Sequence, residues 1–181
     1  MTKENNTIRA RKIALRVEGY LELGMPEHAL SEIQKASQEH LLFNPHMLYL
    51  EGEALWQLKR YRDALYPLGQ AALLEPAEVR VWILIGKCQK RIGRCDLAIE
   101  SLENALYLQP NSPLILYNLS IYLALSERKE ESVRILARAI CLDPKYRQHA
   151  RTEKDFEGIR NMQEFKNLMN EEELLSENQE K

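Results

Sequence analysis

The chain has 181 residues, of which 45% are hydrophobic and 29% charged, and its formal net charge at pH 7 is −2. This weak acidity disfavours nucleic acid as the partner, because nucleic-acid-binding domains usually carry a marked basic excess. The three cysteines cannot all pair, and no apolar run approaches the roughly 20 residues of a membrane helix. We therefore expect reduced thiols, a cytoplasmic location and no membrane contact.

The start of the chain, residues 1–9, is polar and lacks the apolar stretch of a secretory signal, so we expect a polar lead-in there. Small and apolar residues, including Ala29 and Ala36, then recur at helical spacing and indicate a first pair of helices over about 10–44. The proline that closes such a pair comes late, at Pro45. We therefore expect the second helix of this pair to be about one turn longer than its later counterparts.

Three further stretches superimpose on one another at a shift of 34 residues. Each is predicted to form two antiparallel helices, which in the first stretch run from His46 to Leu58 and from Tyr61 to Leu74. Pro67 lies inside the second of these and predicts a kink. Each stretch closes near a proline, which cannot continue a helix. The three stretches are 45–78, 79–112 and 113–146.

Small or apolar residues occupy fixed columns of the three stretches. A side chain larger than alanine would push two antiparallel helices apart where they approach most closely, so the small columns mark helix crossings. The columns are Gly52, Gly86 and Ser120; Ala64, Ala98 and Ser132; Leu68, Leu102 and Leu136; and Ala71, Ala105 and Ala139.

This period and these columns resemble the tetratricopeptide repeat (TPR) family, of the bacterial type. The third stretch fits the family pattern best, with Trp82, Gly86 and Ala98 in the expected columns, although Gln89 stands where the family usually has tyrosine. The resemblance covers about 10–146. It implies an all-α fold, a right-handed TPR superhelix built from four helix-turn-helix pairs.

The end of the chain departs from the 34-residue period. Its residues 150–170 resemble the segment that follows the last repeat of many bacterial TPR proteins, in which a D-F-x-x-[IL]-R run precedes a F-x-x-L run. We therefore expect a helical cap over 147–170 that covers the last pair of helices. The alternative is a segment that docks in the protein's own groove or recruits a partner. Residues 171–181 are acidic, and we expect them to be a flexible tail.

No catalytic motif is evident, since the sequence lacks G-x-S-x-G, a glycine-rich phosphate loop and H-E-x-x-H. We therefore do not expect an enzyme, and we expect no cofactor. The histidines share no ligand spacing with the cysteines, so no metal site is expected either. Cys88 and Cys141 fall at helix-packing positions, where we expect them to act as small buried hydrophobic residues.

The resemblance implies a concave groove lined by the first helix of each pair, through its second, fifth, ninth and twelfth positions. Such a groove has aromatic and apolar flanks with a basic stripe between them, which suits a partner peptide with apolar and acidic residues. Alternatively, Tyr49 and Trp56 pack between neighbouring helices, and Lys87 pairs with Glu53. The candidate peptide-binding residues are Tyr49, Glu53, Trp56, Arg80, Ile83, Lys87, Lys90, Tyr117 and Ile121.

The predicted function is non-catalytic protein–protein interaction, as an adaptor, scaffold or assembly factor that binds a peptide segment in the groove. One alternative is a secretion-type chaperone that holds a client protein. Another is a structural subunit that forms a homo-oligomer through its groove or tail. The EEVD tails of heat-shock chaperones are not expected as ligands, because the columns of the family's carboxylate clamp hold unsuitable residues: Tyr49, Glu53, Leu84, Leu114 and Asn118.

Overall fold

The structure is a computed structural model that describes the backbone of residues 3–38 and 44–177, and the side chains within 8–36 and 44–170. Over these residues the regular secondary structure is entirely helical, as the sequence predicted. In chain order the α-helices are α1 (Lys3–Glu22), α2 (Pro26–Gln38), α3 (Pro45–Gln57), α4 (Tyr61–Leu74), α5 (Val79–Arg91), α6 (Cys95–Leu108), α7 (Pro113–Leu125), α8 (Lys129–Leu142), α9 (Lys145–Thr152) and α10 (Gln163–Glu177). A 3₁₀ helix, Lys154–Ile159, lies between α9 and α10.

The chain divides into two compact units, an N-terminal unit that ends at Arg94 and a C-terminal unit that begins at Cys95. In the N-terminal unit α1 packs on α2 and α3 packs on α4. Consecutive pairs are joined because α2 also packs on α3, and α4 on α5. The first helices of the pairs touch one another as well, α1 with α3 and α3 with α5. We call α1, α3 and α5 the A helices of this unit.

The core of the N-terminal unit consists of two apolar clusters. One joins α1, α2 and α3 through residues such as Val17, Ala29 and Leu50. The other joins α3, α4 and α5 through residues such as Leu68 and Val81. Burial of these side chains stabilises the pairs, at roughly 25 cal/mol for each Å² of apolar surface removed from water.

Small residues stand where paired helices cross. In the N-terminal unit, a Cβ added to Gly52 on α3 would overlap Leu68 Cγ and lie 2.5 Å from Leu68 Cδ2. In the C-terminal unit Ser120 and Ser132 occupy the corresponding small columns and are fully buried. The Ser132 hydroxyl donates to the Ser120 carbonyl and the Ser120 hydroxyl to the Tyr117 carbonyl, both at 2.7 Å. Serine is tolerated at this crossing because each hydroxyl finds a backbone acceptor.

The turns that follow α1, α3, α5 and α7 share one backbone conformation. Their left-handed residues are Gly24, Lys59, Gly93 and Glu127, with φ between 58° and 79°. In each turn the next amide N–H reaches five residues back, as Arg60 does to the Leu55 carbonyl at 2.9 Å. This is the Schellman closure of a helix, and it normally takes glycine at the left-handed position. Two of the four turns use a residue with a Cβ there.

In the C-terminal unit, α6 packs on α7 and α7 on α8, and the segment after α8 folds back over these helices. The 3₁₀ helix contacts α7 and α8, and α10 contacts α8 and α9. Phe156 and Ile159 of the 3₁₀ helix are fully buried, and Phe165 of α10 is 3% exposed.

Three arginines tie this segment together through main-chain acceptors. Arg160 donates to the carbonyls of Arg151 and Glu153, both at 2.6 Å. Arg147 and Arg151 of α9 donate to the carbonyls of Leu168 and Met169 on α10, at 3.1 and 2.6 Å. These are charge-assisted bonds, which are stronger than neutral ones.

Two expectations at the ends of the chain remain predictions, namely the polar lead-in over 1–9 and the flexible acidic tail over 171–181. Helix α1 begins at Lys3 and α10 runs to Glu177. One expectation is corrected at a particular position. Cys141 is exposed, because its side chain lies on the solvent side of α8, whereas Cys88 is buried as expected.

Other expectations remain predictions. The extra turn on the second helix of the first pair falls at 39–43, which lie outside the described residues. Helix α4 runs unbroken through Pro67, and the kink there is untested. The division of 10–146 into four units, followed by a cap over 147–170, is likewise a prediction that the helix bounds accommodate.

Candidate functional site

The A helices α3 and α5 carry seven of the nine candidate residues, and two cation–aromatic contacts join these helices. Arg80 Cζ lies 4.9 Å from the centroid of the Tyr49 ring, and Lys87 Nζ lies 5.7 Å from the centroid of the Trp56 ring. A cation within about 6 Å of a ring centroid is attracted by the ring quadrupole, by about 0.5–1 kcal/mol at exposed sites. The second contact lies two helical turns after the first on both helices. The residues of α3 and α5 therefore stay opposite one another in the same register.

The positive charge of Arg80 is paired with a carboxylate of the same chain, that of Glu78. Its Nε bonds Glu78 Oε1 at 3.0 Å and its Nη2 bonds Glu78 Oε2 at 3.0 Å. Glu78 also caps α5, since its Oε1 accepts from the Arg80 backbone N–H at 3.1 Å. These bonds raise the pKa of Arg80 and lower the pKa of Glu78. The bidentate pair holds the guanidinium in place over Tyr49.

Glu53 lies beside Tyr49 rather than beside Lys87. Burial raises the pKa of Tyr49 to about 12, and the negative charge of Glu53 adds to that rise. Lys87 contacts the Trp56 ring and forms no ion pair with any residue in the described part of the chain. The alternative that Lys87 pairs with Glu53 is therefore wrong. Tyr49 and Trp56 do pack partly against the core, as the alternative for these two rings proposed.

Polar contacts also join α1 to α3. His46 Nε2 lies 2.8 Å from Glu18 Oε1, and Gln57 Nε2 donates to the Leu21 carbonyl at 3.3 Å. Together with the cation–aromatic contacts, these bonds make one continuous surface from α1 across α3 to α5. We call this surface the A-helix face of the N-terminal unit.

The remaining candidates on this face are partly exposed. Ile83 and Lys90 are both of intermediate exposure, and they lie one turn from Arg80 and Lys87 respectively. The Trp56 indole nitrogen is buried and has no hydrogen-bond partner among the described residues. Such unpaired buried donors are rare in folded proteins. The face thus combines half-buried rings, an ammonium group without a carboxylate partner and a branched apolar side chain.

The structure does not leave Tyr117 and Ile121 on an open surface. They are 9% and 4% exposed in the C-terminal unit. The Tyr117 ring lies 4.8 Å from the Tyr146 ring and 5.9 Å, edge to face, from the Phe156 ring, measured between centroids. Helix α9 and the 3₁₀ helix therefore cover the position at which a ligand was expected. As candidate peptide-binding residues, these two are corrected to core residues of this unit.

Sequence reasoning missed the cation–aromatic register, although a signal for it was present. Both contacts join residues 31 positions apart, three fewer than the repeat period. Three residues make about one helical turn. Each cation on α5 therefore lies one turn before the residue of α5 that falls in the same repeat column as its aromatic partner on α3. A search for aromatic and basic residues at this spacing in neighbouring A helices would have found both pairs.

Two further findings concern the described residues as a whole. None of their histidine, cysteine, aspartate and glutamate side chains come together in groups of three that could hold a metal ion. No helix in the described part of the chain is both long and apolar enough to cross a membrane.

An array of paired α-helices with rings and cations displayed on one face defines a helical-repeat protein of the protein-interaction class. The family profile described as "Tetratricopeptide repeat" matches residues 15–78 and again 79–112, which together exceed half of the chain. The chain belongs to the tetratricopeptide repeat family. This confirms the family resemblance seen in the sequence, while the bacterial type remains a prediction.

Among characterised proteins, one similar sequence is "Anaphase-promoting complex subunit 3" of Dictyostelium discoideum, which is 38% identical over 58 residues. The match spans 32% of this chain and about 6% of that much longer protein. It therefore concerns the repeat itself and not the function of the whole relative.

Solved structures support the same fold. "MamA 41-end from Desulfovibrio magneticus RS-1" has a TM-score of 0.71 at 24% identity, covering 91% of this chain and 96% of its own. A second structure is titled "Crystal structure of YrrB: a TPR protein with an unusual peptide-binding site". Its TM-score is 0.69 at 23% identity, covering 76% of this chain and 71% of its own. At these identities the likeness establishes the fold alone.

Proposed function

We propose that this protein is a non-catalytic adaptor or assembly factor whose A-helix face binds an extended segment of a partner protein. The observation that carries the proposal is the pair of cation–aromatic contacts between α3 and α5. They place two rings and two cations, each in a defined orientation, side by side on one surface. Interface anchors are enriched in tryptophan, tyrosine and arginine, so this is the composition of a binding surface.

The partner segment should carry apolar side chains and at least one carboxylate. Lys87 supplies a positive charge that is not neutralised by a carboxylate in the described residues. Tyr49, Trp56 and Ile83 offer the apolar contacts. Glu53 beside Tyr49 disfavours a carboxylate at that end of α3, so the acidic residue of the segment belongs near Lys87.

We place this function in the cytoplasm and assign no catalytic step to the chain. The location is supported by Cys88, Cys95 and Cys141, none of which forms a disulfide bond in the described part of the chain. Free thiols persist in reducing compartments. The non-catalytic role is supported by the family, whose members bind protein or peptide partners.

The test is selection of binding peptides from a random displayed library on the wild-type protein. Enriched peptides should combine an acidic residue with aromatic or branched apolar residues. Lys87→Glu should weaken their binding by about tenfold or more, because the reversed charge repels the carboxylate. Trp56→Ala should cost about 2 kcal/mol of binding free energy, as truncation of an aromatic anchor does.

Two controls separate this site from a general charge effect. Lys87→Arg keeps the positive charge and should retain binding. Arg62→Glu reverses an exposed cation on α4, away from the A-helix face, and should bind as the wild type does. Selected peptides that bind Lys87→Glu and wild type equally would contradict the proposed site.

A further inference from the structure

A second surface of the N-terminal unit is a cleft of about 570 Å³ between α1 and α2, separate from the A-helix face. Its floor is apolar, with Ile13 and Ala36, and its rim is rich in cations. The rim includes Lys12, Leu15, Arg16, Glu32 and Lys35.

The repeat columns indicate that a helix could cover this cleft. Leu15 of α1 falls in the repeat column of Leu50 and Leu84, at shifts of 35 and 34 residues. Leu50 is 3% exposed in the core shared with α2, and Leu84 is 6% exposed in the core shared with α4. The residue in this column is thus covered by the preceding helix, α2 for α3 and α4 for α5. Leu15 is 60% exposed, and Ile8, two turns earlier on α1, is 51% exposed.

The charges of the cleft select an acidic occupant. Lys12 falls in the column of Met47 and Val81, which are buried apolar residues in α3 and α5. Arg16 and Lys35 both contact one carboxylate, Glu32, each at 2.9 Å. Among the described lining residues, Lys12, Arg16 and Lys35 thus carry three positive charges against the one carboxylate of Glu32. A helix that covers Leu15 would bring its own carboxylates close to these cations.

The chain itself contains a segment with this chemistry. Residues 171–181 hold five glutamates and one lysine, with Leu174 and Leu175 adjacent in the middle. Helix α10 is anchored to the C-terminal unit by Phe165 and Leu168, and it continues as a helix to Glu177. Acidic and basic residues are thus concentrated at opposite ends of a chain whose net charge is only −2.

We propose that the part of α10 beyond Asn170 docks in the α1–α2 cleft of a second copy of this chain. In this complex the acidic, leucine-containing tail covers Leu15 and lies beside Lys12, Arg16 and Lys35. The interface is heterologous, since the cleft of one copy takes the tail of the next, so association grows head to tail with concentration. It is independent of peptide binding on the A-helix face.

Sedimentation velocity of the full chain over a wide concentration range tests this inference. The average mass of the wild type should rise with concentration at low salt and fall when salt screens the contact. Lys12→Glu with Leu15→Ser should weaken association by on the order of tenfold, as should Glu171→Lys with Glu172→Lys and Glu173→Lys. Both sets change exposed or terminal residues, and melting curves verify that each variant is folded.

Mixing the two variants gives the decisive result. The cleft variant keeps a good tail and the tail variant keeps a good cleft, so an equimolar mixture should form dimers that cannot grow. Arg62→Glu on α4 is the matched control for charge and should associate as the wild type does. A wild type that is monomeric at every concentration would overturn the inference, as would a mixture without dimers. Loss of association in Lys87→Glu but not in the cleft variant would also overturn it, by assigning self-association to the A-helix face.

Discussion

At the scale of single residues, the turns after α1, α3, α5 and α7 all need a left-handed backbone conformation, even where the residue is not glycine. Gly24 and Gly93 meet the left-handed requirement without strain, whereas Lys59 and Glu127 adopt φ of 60° and 58° with a Cβ present. For an L-residue this conformation costs roughly 1–2 kcal/mol. The closing hydrogen bonds of the turn hold it in place nevertheless.

The first prediction follows from this strain. Lys59→Gly should raise the free energy of unfolding by up to about 1 kcal/mol, because glycine adopts the left-handed region freely. Gly93→Ala should lower it by about 1 kcal/mol for the opposite reason. Urea unfolding monitored by circular dichroism measures both changes. A loss of stability in Lys59→Gly would mean that the lysine side chain contributes more than its backbone strain costs.

The second prediction concerns the crossing of α3 and α4. Gly52→Ala should destabilise the protein by about 1–3 kcal/mol, because the new methyl group overlaps the fully buried Leu68. Gly69→Ala is the matched control in α4, since no atom lies within 4 Å of its added Cβ. That change should stabilise the helix by up to about 1 kcal/mol. Equal melting temperatures for the two variants would contradict the assigned crossing.

The third prediction concerns thiol reactivity. Burial raises the pKa of Cys88 to about 12, so its thiol stays protonated and inaccessible at neutral pH. Cys141 is exposed and should be alkylated rapidly in the native protein, whereas Cys88 should react only after unfolding. Mass spectrometry of iodoacetamide-treated protein, with Cys141→Ser as the control, distinguishes the sites. Rapid modification of native Cys88 would contradict its burial.

At the scale of elements, the segment after α8 has become part of the core of the C-terminal unit. Its aromatic residues pack on one another, with the Phe156 and Phe165 rings 5.9 Å apart between centroids. Tyr117 of α7 contacts the same group. The segment therefore packs on α7 and α8 much as a further pair of repeat helices would, and less as a peripheral tail would. Solenoid ends generally need such a cover.

The fourth prediction tests the anchoring of α10. Phe165→Ala should cost about 3–5 kcal/mol, since it opens a cavity beneath a side chain that is 3% exposed. Lys166→Ala changes the exposed neighbour on the same helix and serves as the control, with an expected effect within about 0.5 kcal/mol. Chemical denaturation measures the difference. Similar midpoints for both variants would show that α10 contributes little to the stability of this unit.

At the scale of the whole molecule, each compact unit contains a tyrosine, partly buried in one unit and buried in the other, whose ionisation opposes folding. Burial raises the pKa of Tyr49 in the N-terminal unit and of Tyr117 in the C-terminal unit from 10.0 to about 12. The unfolded chain therefore releases these protons at lower pH than the folded protein does. These two groups leave stability unchanged below about pH 10 and lower it as pH rises from about 10 to about 12.

The fifth prediction is that alkaline destabilisation is shared by both units. The free energy of unfolding should fall between about pH 10 and 12, with at most about 3 kcal/mol from the buried Tyr117. Replacing both tyrosines, by Tyr49→Phe with Tyr117→Phe, removes the titrating groups and should flatten this dependence. Urea unfolding across the pH series measures it. A double variant with an unchanged alkaline slope would assign the loss of stability to other groups.

The candidate site could be predicted from the sequence in part. Repeat columns placed Tyr49, Trp56, Arg80 and Lys87 on the A helices, because positions within a helix follow from its period alone. They did not reveal that Lys87 lies over Trp56 and not beside Glu53. Lys87 has a flexible side chain with two partners in reach, and the packing between helices decides which of the two it contacts. The position of Lys87 in the sequence does not distinguish these partners.

By itself, the sequence determined the all-α class, the TPR family and the bounds of α3 and α4 to within a residue, since these depend on apolar periodicity, small crossing residues and prolines within short windows. The tertiary structure decided which surfaces remain open. It buried Tyr117 beneath α9 and the 3₁₀ helix and Ile121 in the core, exposed Cys141, and left Leu15 in an open cationic cleft. Exposure depends on contacts with residues far away along the chain, and a pattern confined to one helix contains no information about them.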